Sequence, residues 1–439
     1  MDAVSTAPVV GALKGRRASA RTAWLLAAGL VLVALVLPWL FFDWAHGRQN
    51  GFVVSMLSQM GMMVIFALSY NMLMGQSGLL SLCHAVLFGF GGYCMIHFLD
   101  AAGDGMLPVP MELLPLLSGL GGLGIAIVFG YMATRQRATA FAMITLGIGQ
   151  LLTVAALMFK HFFGGESGVS TDRTNAGSLL GLSYAHGISV YYLIIAWAVI
   201  ATLGMYALTF TPLGRMANAC RDNHERAQFM GYDPRMVRFL QFALSGFFAG
   251  IAGGLYAVTY EIVTFDSLAA PLSANALLMA YIGGITVFGG PILGAILITL
   301  LQSGVSLMSN SWLIYVGVLF IVMVTFAPAG LAGLILAHAP IRRTGRLKRL
   351  LVPYLRIAPA LLATVLGFVG IVELASFLTI GEAQGKHLVL FGNPVNVYSP
   401  TPWIVSAVLL VAGGAWFWRE CRAFRTVWEA LTADLKDAT

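Results

Sequence analysis

The residues best equipped for chemistry sit in two places, one greasy and one polar. The segment ALSYNMLMGQSGLLSLCHAVLFGFGGYCMIHFLD carries Asn71, Ser77, Ser81 and His84 in an apolar run of membrane length, beside Gly75, Gly78, Gly89, Gly91 and Gly92. Amide, hydroxyl and imidazole groups on glycine-permitted irregular backbone can line a solute pathway. Helix packing, with glycine as contact surface and Asn or Ser as interhelical glue, uses the same residues. Both readings stay open on these residues alone. A metal centre does not: on a continuous helix Cys83 and Cys94 stand roughly 16 Å apart, whereas zinc gathers its ligands around one point. Neither His84 nor His97 changes that, and no metal or cofactor is expected.

The polar place is Pro212 to Arg238, PLGRMANACRDNHERAQFMGYDPRMVR, held between two apolar runs. Pro212 breaks the preceding span, Arg215 to Met230 reads as a helix, and Gly231 and Pro234 stop it. Such a helix can insert into a groove on a soluble partner, and its charges equally suit a solvated connector. A third stretch, KHFFGGESGVSTDRTN (160–175), combines adjacent glycines with Glu166, Asp172 and Arg173. It reads as a gate or docking loop, or as an ordinary solvated loop. No GxxxxGK[ST] phosphate-cradling loop occurs, so the chain is not expected to be an enzyme and any ATP hydrolysis falls to a partner.

These residues have to be positioned by membrane helices. Of 439 residues, 59% are hydrophobic and 10% charged, against about 25% charged in soluble chains. Repeated apolar runs of spanning length imply an all-α, polytopic transmembrane bundle. Twelve segments are predicted: 23–42, 52–74, 78–99, 113–133, 139–160, 188–210, 238–259, 273–288, 291–308, 312–336, 357–380 and 402–418. The turns at 75–78 and 283–291 are too short for ordinary loops, which predicts broken or re-entrant helices there. The net charge of +7 sits in short loops and follows the positive-inside rule, not nucleic-acid binding. With a cytoplasmic N-terminus, Arg135 and Arg137, the 211–238 loop, the cluster Arg342, Arg343, Arg346, Lys348 and Arg349, and the tail Arg419, Arg422 and Arg425 all fall inside. Both termini are then cytoplasmic. The four cysteines, Cys83, Cys94, Cys220 and Cys421, have no paired spacing and read as free thiols. Glu373 is the chief charge inside a span, and this scarcity counts against an ion-coupled carrier. The predicted organisation is a tail (1–22), a core (23–337) and an appendage (338–439) with two further spans.

Four ordered motifs carry a resemblance. NMLMGQSGLLSLCHAVLFGFGGY (71–93) is similar to N-L-x-x-G-x-x-G-x-x-S-L-G-H-A-x-x-x-G-x-G-A-Y, with Cys83 for Gly and Gly92 for Ala. GGESGV (164–169) resembles TGG-x-x-GL, with Phe163 where Thr is common. LGRMANACRDNHERAQFMG (213–231) resembles GRA-x-x-AIR-[DE]-NE-x-x-A-x-x-x-G, with Cys220 for Ile and His224 for Glu. GGITVFGGPILGA (283–295) and FAPAGLAGL (326–334) resemble GG-x-G-[ST]-x-x-GP-x-x-GA and FAPRGL, from which Thr286 and Ala329 depart.

The chain thus resembles the LivM-type permease subunits of ABC importers for branched-chain and other hydrophobic amino acids, over residues 25 to 336. The resemblance implies a bacterial inner-membrane permease for branched-chain amino acids or a related small polar solute such as urea or a short amide. It implies as partners a second homologous permease, two cytoplasmic ATP-binding subunits, a periplasmic binding protein and membrane lipid. By carry-over, Gly214, Arg215, Arg221, Asp222, Asn223, Ala227 and Gly231 form the ATPase-coupling site. The expected pathway residues are Asn71, Gly75, Ser81, His84, Gly89, Tyr93, Gly283 and Gly284, with Gly164, Gly165 and Gly168 in the outer loop. The rival classes are an ion-coupled transporter or channel needing no ATPase, and a non-transporting scaffold.

Overall fold

A computed structural model of the chain describes residues 20–43, 48–136, 138–179, 181–307, 309, 311–343, 348–380, 387–390 and 393–436. The basic residues Lys14, Arg16, Arg17, Arg137 and Arg346 lie outside the described residues. The helices are α1 (Ala20–Leu40), α2 (Gly51–Asn71), α3 (His84–Gly103), α4 (Leu114–Ala133), α5 (Ala138–Met158), the single turn α6 (Lys160–Phe163), α7 (Gly187–Phe210), α8 (Pro212–Asp222) and α9 (His224–Phe229). They continue as α10 (Pro234–Tyr260), α11 (Ala270–Gly283), α12 (Gly290–Leu300), α13 (Trp312–Phe326), α14 (Gly330–Ala337), α15 (Ala339–Arg343), α16 (Lys348–Ile380) and α17 (Pro400–Lys436). Short antiparallel ladders pair β1 (Phe42–Asp43) with β2 (Arg48–Gln49), β3 (Val169–Ser170) with β4 (Ile262–Val263), and β5 (His387–Leu390) with β6 (Asn393–Asn396).

Among the described residues eight helices are long and apolar enough to cross a membrane, or nine if the bent pair Trp312–Phe326 and Gly330–Ile341 is one span. The count of twelve is not confirmed among them. Every segment predicted from the sequence contains helix, but α11 has 14 residues. At 1.5 Å per residue that is about 21 Å, short of a hydrocarbon core of about 30 Å. An apolar run with a glycine turn inside it reads as two spans by hydropathy and folds as two short helices packed side by side.

Both short turns interrupt their helices. The α2 helix passes into a π-helical turn, Met72–Ser77, and stops at Gly78, whose φ of 68° is left-handed. The next helix starts only at His84. Between α11 and α12 the chain turns at Gly284, with φ 112°.

The described chain divides into two compact units, one running up to Leu300 and including Phe320–Gly333, the other comprising Leu301–Leu319 and Leu334 onwards. The first is built around α10. Asp233 caps it by accepting the Arg235 N–H at 2.9 Å, Pro234 fills the first turn, and Glu261 ends it in the left-handed region at φ 58°. Its 27 residues reach about 40 Å. Glycines let α3 and α4 approach its backbone: a methyl on Gly250 would stand 2.8 Å from the Ser118 carbonyl, and one on Gly91 2.5 Å from the Gly250 Cα. A methyl on Gly253 would collide with the Phe88 carbonyl. The Ser118 hydroxyl lies 2.7 Å from both the Gly91 and Gly250 carbonyls, so its single proton is shared across all three helices. Ser245 ties α10 to α2 by donating to the Ser69 carbonyl at 2.9 Å.

In the second unit, α16 and α17 pack by the same device. A methyl on Gly413 would stand 2.9 Å from the Thr364 nitrogen, and one on Gly367 would collide with the Leu410 nitrogen. Glu373 accepts from the Ser309 and Tyr315 hydroxyls, each at 2.5 Å.

One loop anchor was not foreseen from the sequence. Glu112 accepts from the Ser178 hydroxyl (2.8 Å), the Tyr184 hydroxyl (2.9 Å) and the Leu179 N–H (3.0 Å), while its own carbonyl takes the Trp197 indole N–H at 3.0 Å. Burial by itself would raise this carboxyl, but the hydrogen bonds donated to its charged form, led by Leu179, hold it down to about 2. Burial and the carboxylate together push the Tyr184 phenol up to about 12.

Two outcomes are expected. Gly253→Ala lowers the thermal unfolding midpoint of the detergent-purified protein, because overpacking costs about 1–3 kcal/mol. Gly124→Ala, with open space around its Cβ, does not lower it; equal midpoints for both variants would contradict the close packing described for α10. For Glu112 the folded carboxyl lies below its ordinary value of 4.5, so its contribution is present above that value and lost as the pH falls toward about 2. Hydrogen exchange at the Leu179 amide, corrected for intrinsic rate, is expected to accelerate over that window in the wild type and to lose this pH dependence in Glu112→Gln.

Candidate functional site

The α8–α9 loop is shaped by turn chemistry at each end. Thr211 leaves α7 in extended geometry, and its hydroxyl oxygen accepts the Gly214 N–H at 3.3 Å. Gly214 is pressed against the preceding strand of chain, where a methyl would stand 2.8 Å from the Thr209 Cα. The Asn218 amide donates to the Gly214 carbonyl at 3.1 Å. Asn223, extended at φ −155°, separates α8 from α9; its N–H returns to Ala219 and its carbonyl accepts from Ala227. Ala217 and Ala227 are buried. Gly231 turns the chain at φ 83° and donates to the Gln228 carbonyl at 2.9 Å.

The residues carried over as a coupling site therefore lie on one loop, in different roles. Gly214, Asn223, Ala227 and Gly231 shape it, Arg215 is exposed, and Arg221 and Asp222 form a surface ion pair at 3.1 Å. The Arg221 guanidinium also donates to the Gly75 carbonyl, at the broken end of α2. Burial pushes the Cys220 thiol up, against the pull of Arg238. The sequence reading missed the apolar tip of this loop: Phe229 is 90% exposed, with Met230, Tyr232 and Met236 exposed beside it. Large apolar side chains inside a polar loop were the available signal.

The pathway residues fall into three groups. Asn71 ends α2, and its Oδ1 has no hydrogen-bond partner among the described residues. It crowds Gly75, where a methyl would also stand 2.7 Å from the Ile285 carbonyl, so Gly75 meets the Gly283–Gly284 turn. Ser81 and His84 are fully buried at the head of α3. The His84 ring stacks on Phe66 at 5.2 Å and meets the edge of Tyr70 at 5.1 Å. Its Nε2 lies 2.9 Å from the Ser69 hydroxyl, which gives its proton to the Phe66 carbonyl. Nε2 is then the donor, and Nδ1 has no partner among the described residues. Gly89 and Tyr93 lie further along α3: Gly89 packs on the Ser267 carbonyl, and Tyr93 meets the edge of Phe163 at 4.9 Å.

At the opposite end from the α8–α9 loop, Gly164, Gly165 and Gly168 all have positive φ, from 70° to 73°. Gly168 lies against Thr264, and Val169 and Ser170 pair with Val263 and Ile262. Arg173 closes the arrangement, its N–H donating to Glu261 at 3.2 Å and its guanidinium lying 3.6 Å from the same carboxylate. Thr171 bonds both the Glu261 carbonyl, at 3.0 Å, and Asp100, at 2.5 Å. The Thr174 hydroxyl and N–H hold the Asp172 carboxyl below the usual range. One helix, α10, thus begins beside the α8–α9 loop and ends in the grip of the glycine loop.

Comparison with known proteins agrees with this architecture. The family described as "Branched-chain amino acid transport system / permease component" matches residues 52–328. The chain is 26% identical over 323 residues to the high-affinity branched-chain amino acid transport system permease protein LivM of Escherichia coli, covering 69% of this chain and 74% of that one. It is 22% identical over 285 residues to the corresponding permease protein BraD of Pseudomonas aeruginosa, covering 61% and 91%. The ribose import permease protein RbsC of Haemophilus influenzae is 25% identical over 215 residues, covering 47% and 62%. No solved structure matches the chain. With its apolar helices and a family match over more than half its length, the chain is a multi-pass membrane protein that belongs to the family of branched-chain amino acid transport system permease components.

Proposed function

We propose that this chain is the membrane permease of an ATP-driven importer for branched-chain amino acids or a closely related small solute, in the inner membrane of a bacterium. It pairs with a second permease of the same kind, two ATP-binding subunits on the cytoplasmic side and a substrate-binding protein outside. The α8–α9 loop faces the cytoplasm, as do both termini, in keeping with the arginines of the 211–238 loop and of the tail. The single observation that carries the reading is the union of an exposed apolar tip at Phe229, Met230, Tyr232 and Met236 with a glycine-hinged helix pair. Apolar side chains held out on a short polar helix suit insertion into a groove on a soluble protein.

The mechanism follows from what the loop touches. Closure of the ATP-binding subunits pushes α8–α9. Next to the loop stands α10, packed too closely against α3 and α4 to bend, so a push at Pro234 arrives at Glu261 as a displacement of the whole helix. There it shifts the Val169–Val263 ladder and the glycine loop at 164–168. At the near end the breaks after Ser77 and Gly283 yield, since continuous helical hydrogen bonds end there. Alternating access is this exchange between a stiff helix and two soft turns. Asn71, Gly75, Gly283 and Gly284 belong to the inner gate, and Gly164, Gly165 and Gly168 to the outer one. Ser81, His84, Gly89 and Tyr93 support the path from behind.

The test is uptake by proteoliposomes holding the chain with its partner subunits. Wild type is expected to accumulate leucine, isoleucine or valine only with ATP inside. Gly231→Pro forces φ from the left-handed region to about −65° and is expected to cut uptake at least about tenfold, a coupling energy of about 1.4 kcal/mol, while membrane insertion persists. Uptake that survives ATP removal and collapses with the proton gradient would transfer the chain to the ion-coupled class.

A further inference from the structure

The loop that meets the ATP-binding subunits also holds the membrane break directly, through one side chain. At the end of α2 the Gly78 N–H goes to the Met74 carbonyl and the Leu79 N–H to the Leu73 carbonyl. The Gly75 carbonyl is left over, as carbonyls at helix ends are. It sits where the helix dipole concentrates negative charge. Arg221 fills that position: its Nη1 donates to the Gly75 carbonyl, its Nε and Nη2 donate to Asp222 Oδ1 at 3.2 and 3.1 Å, and its stem lies over Gly78. A methyl on Gly78 would stand 2.9 Å from the Arg221 Cγ. On its other side Gly75 abuts the Ile285 carbonyl of the α11–α12 turn. The π-helical turn is thus held between a coupling-helix arginine and the second soft turn.

We propose that Arg221 is a latch: a positioning residue that couples α8 to the inner gate through the Gly75 carbonyl, in place of contacting an ATP-binding subunit. This rests on the importer reading above. Arginine suits the task because its fork donates in two directions at once, to the orphan carbonyl and to the Asp222 carboxylate that aims it. Lysine carries its three donors on one compact ammonium, without the planar fork that aims at both acceptors in fixed directions. When α8 moves, the guanidinium either draws the Gly75 carbonyl and its turn along or lets go and leaves the turn at Met72–Ser77 without its outside partner; either way the stretch 78–83 is freed to open. Cys83, at the end of that stretch and buried, is a native reporter of opening.

The experiment uses the full chain with its partner subunits, comparing wild type, Arg221→Ala and Arg221→Lys. Three quantities are read: the ATP-binding subunits retained on purification, the ATP hydrolysed per solute imported, and labelling of Cys83 by a membrane-impermeant maleimide, located by peptide mass. A latch predicts that Arg221→Ala retains its ATP-binding subunits. ATP used per solute and Cys83 labelling should both rise, by about five- to a hundredfold, the usual range of a coupling between sites. Arg221→Lys should fall between alanine and wild type on both measures. Loss of the ATP-binding subunits from Arg221→Ala would identify a direct contact and overturn the latch, as would unchanged labelling with an unchanged ratio. A wild-type assembly that imports nothing with ATP would instead sink the importer reading, and the labelling comparison would still decide the latch. Should the alanine variant fail to fold, labelling of the lysine variant against wild type decides it.

Discussion

Everything in the first unit depends on the backbone-to-backbone contact of α10 with α3 and α4. In lipid the hydrophobic effect does not draw helices together, because the tails are as apolar as leucine, so association rests on close packing and polar links. Here the packing is carried by Gly91, Gly122, Gly250 and Gly253, at positions where a single methyl would strike a neighbouring backbone atom. The polar link is Ser118, whose one proton serves a carbonyl on α3 and another on α10. Mid-helix carbonyls such as those of Gly91 and Gly250 already have intrahelical partners, so a shared proton adds orientation more than strength. It fixes the rotation of three helices about their axes, which glycine contacts by themselves would leave loose.

A core that tight can move only as a body, and the soft places must then lie at its ends. They do. The α2 end, the α11–α12 turn and the α8–α9 loop lie together at one end, and the paired strands β3 and β4 with the glycine loop lie at the other. At both ends the connections run through backbone carbonyls, Gly75 below and Glu261 above, accepting from side chains or amides of a different segment. Bonds of that kind are specific in direction yet individually cheap to break, which suits surfaces that change partners during a cycle. Fully buried polar groups such as His84 and Tyr93, whose free atoms lack partners among the described residues, lie between these ends. Their cost is borne within the stiff part, where rearrangement is least.

The sequence made the spans legible because hydropathy is a property of contiguous residues, and the two breaks legible because glycine pairs punctuate them. Helix length across a break was not legible: Ala270–Gly283 and the helix from Gly290 read as full spans, since apolar character says nothing of where the chain reverses. The coupling loop was legible as a motif, yet the roles inside it were not. That Gly214 and Gly231 shape turns while Arg221 reaches inward follows from a contact between residues 146 positions apart, and no local pattern encodes a partner so distant. Glu112 escaped for the same reason. A lone carboxylate before a span looks like a loop charge until Ser178, Leu179 and Tyr184 are seen to converge on it.

The second unit obeys the rule that organises the first, which bears on how it should be understood. The closest approaches of α16 and α17 are again at glycines, Gly367, Gly370 and Gly413, facing backbone or the small side chain of Ser406. Glu373, conspicuous in the sequence as a charge within an apolar helix, takes two hydroxyl donors on one oxygen, from Ser309 and Tyr315. Those donors belong to the Leu301–Leu319 stretch of the same unit. A carboxylate in a spanning helix is tolerated only where polar partners replace water, so this segment is what permits Glu373 to be there. The pair of helices and the segment before them therefore form a fitted body with its own polar anchor. The family match ends at residue 328, and most of this body lies beyond it.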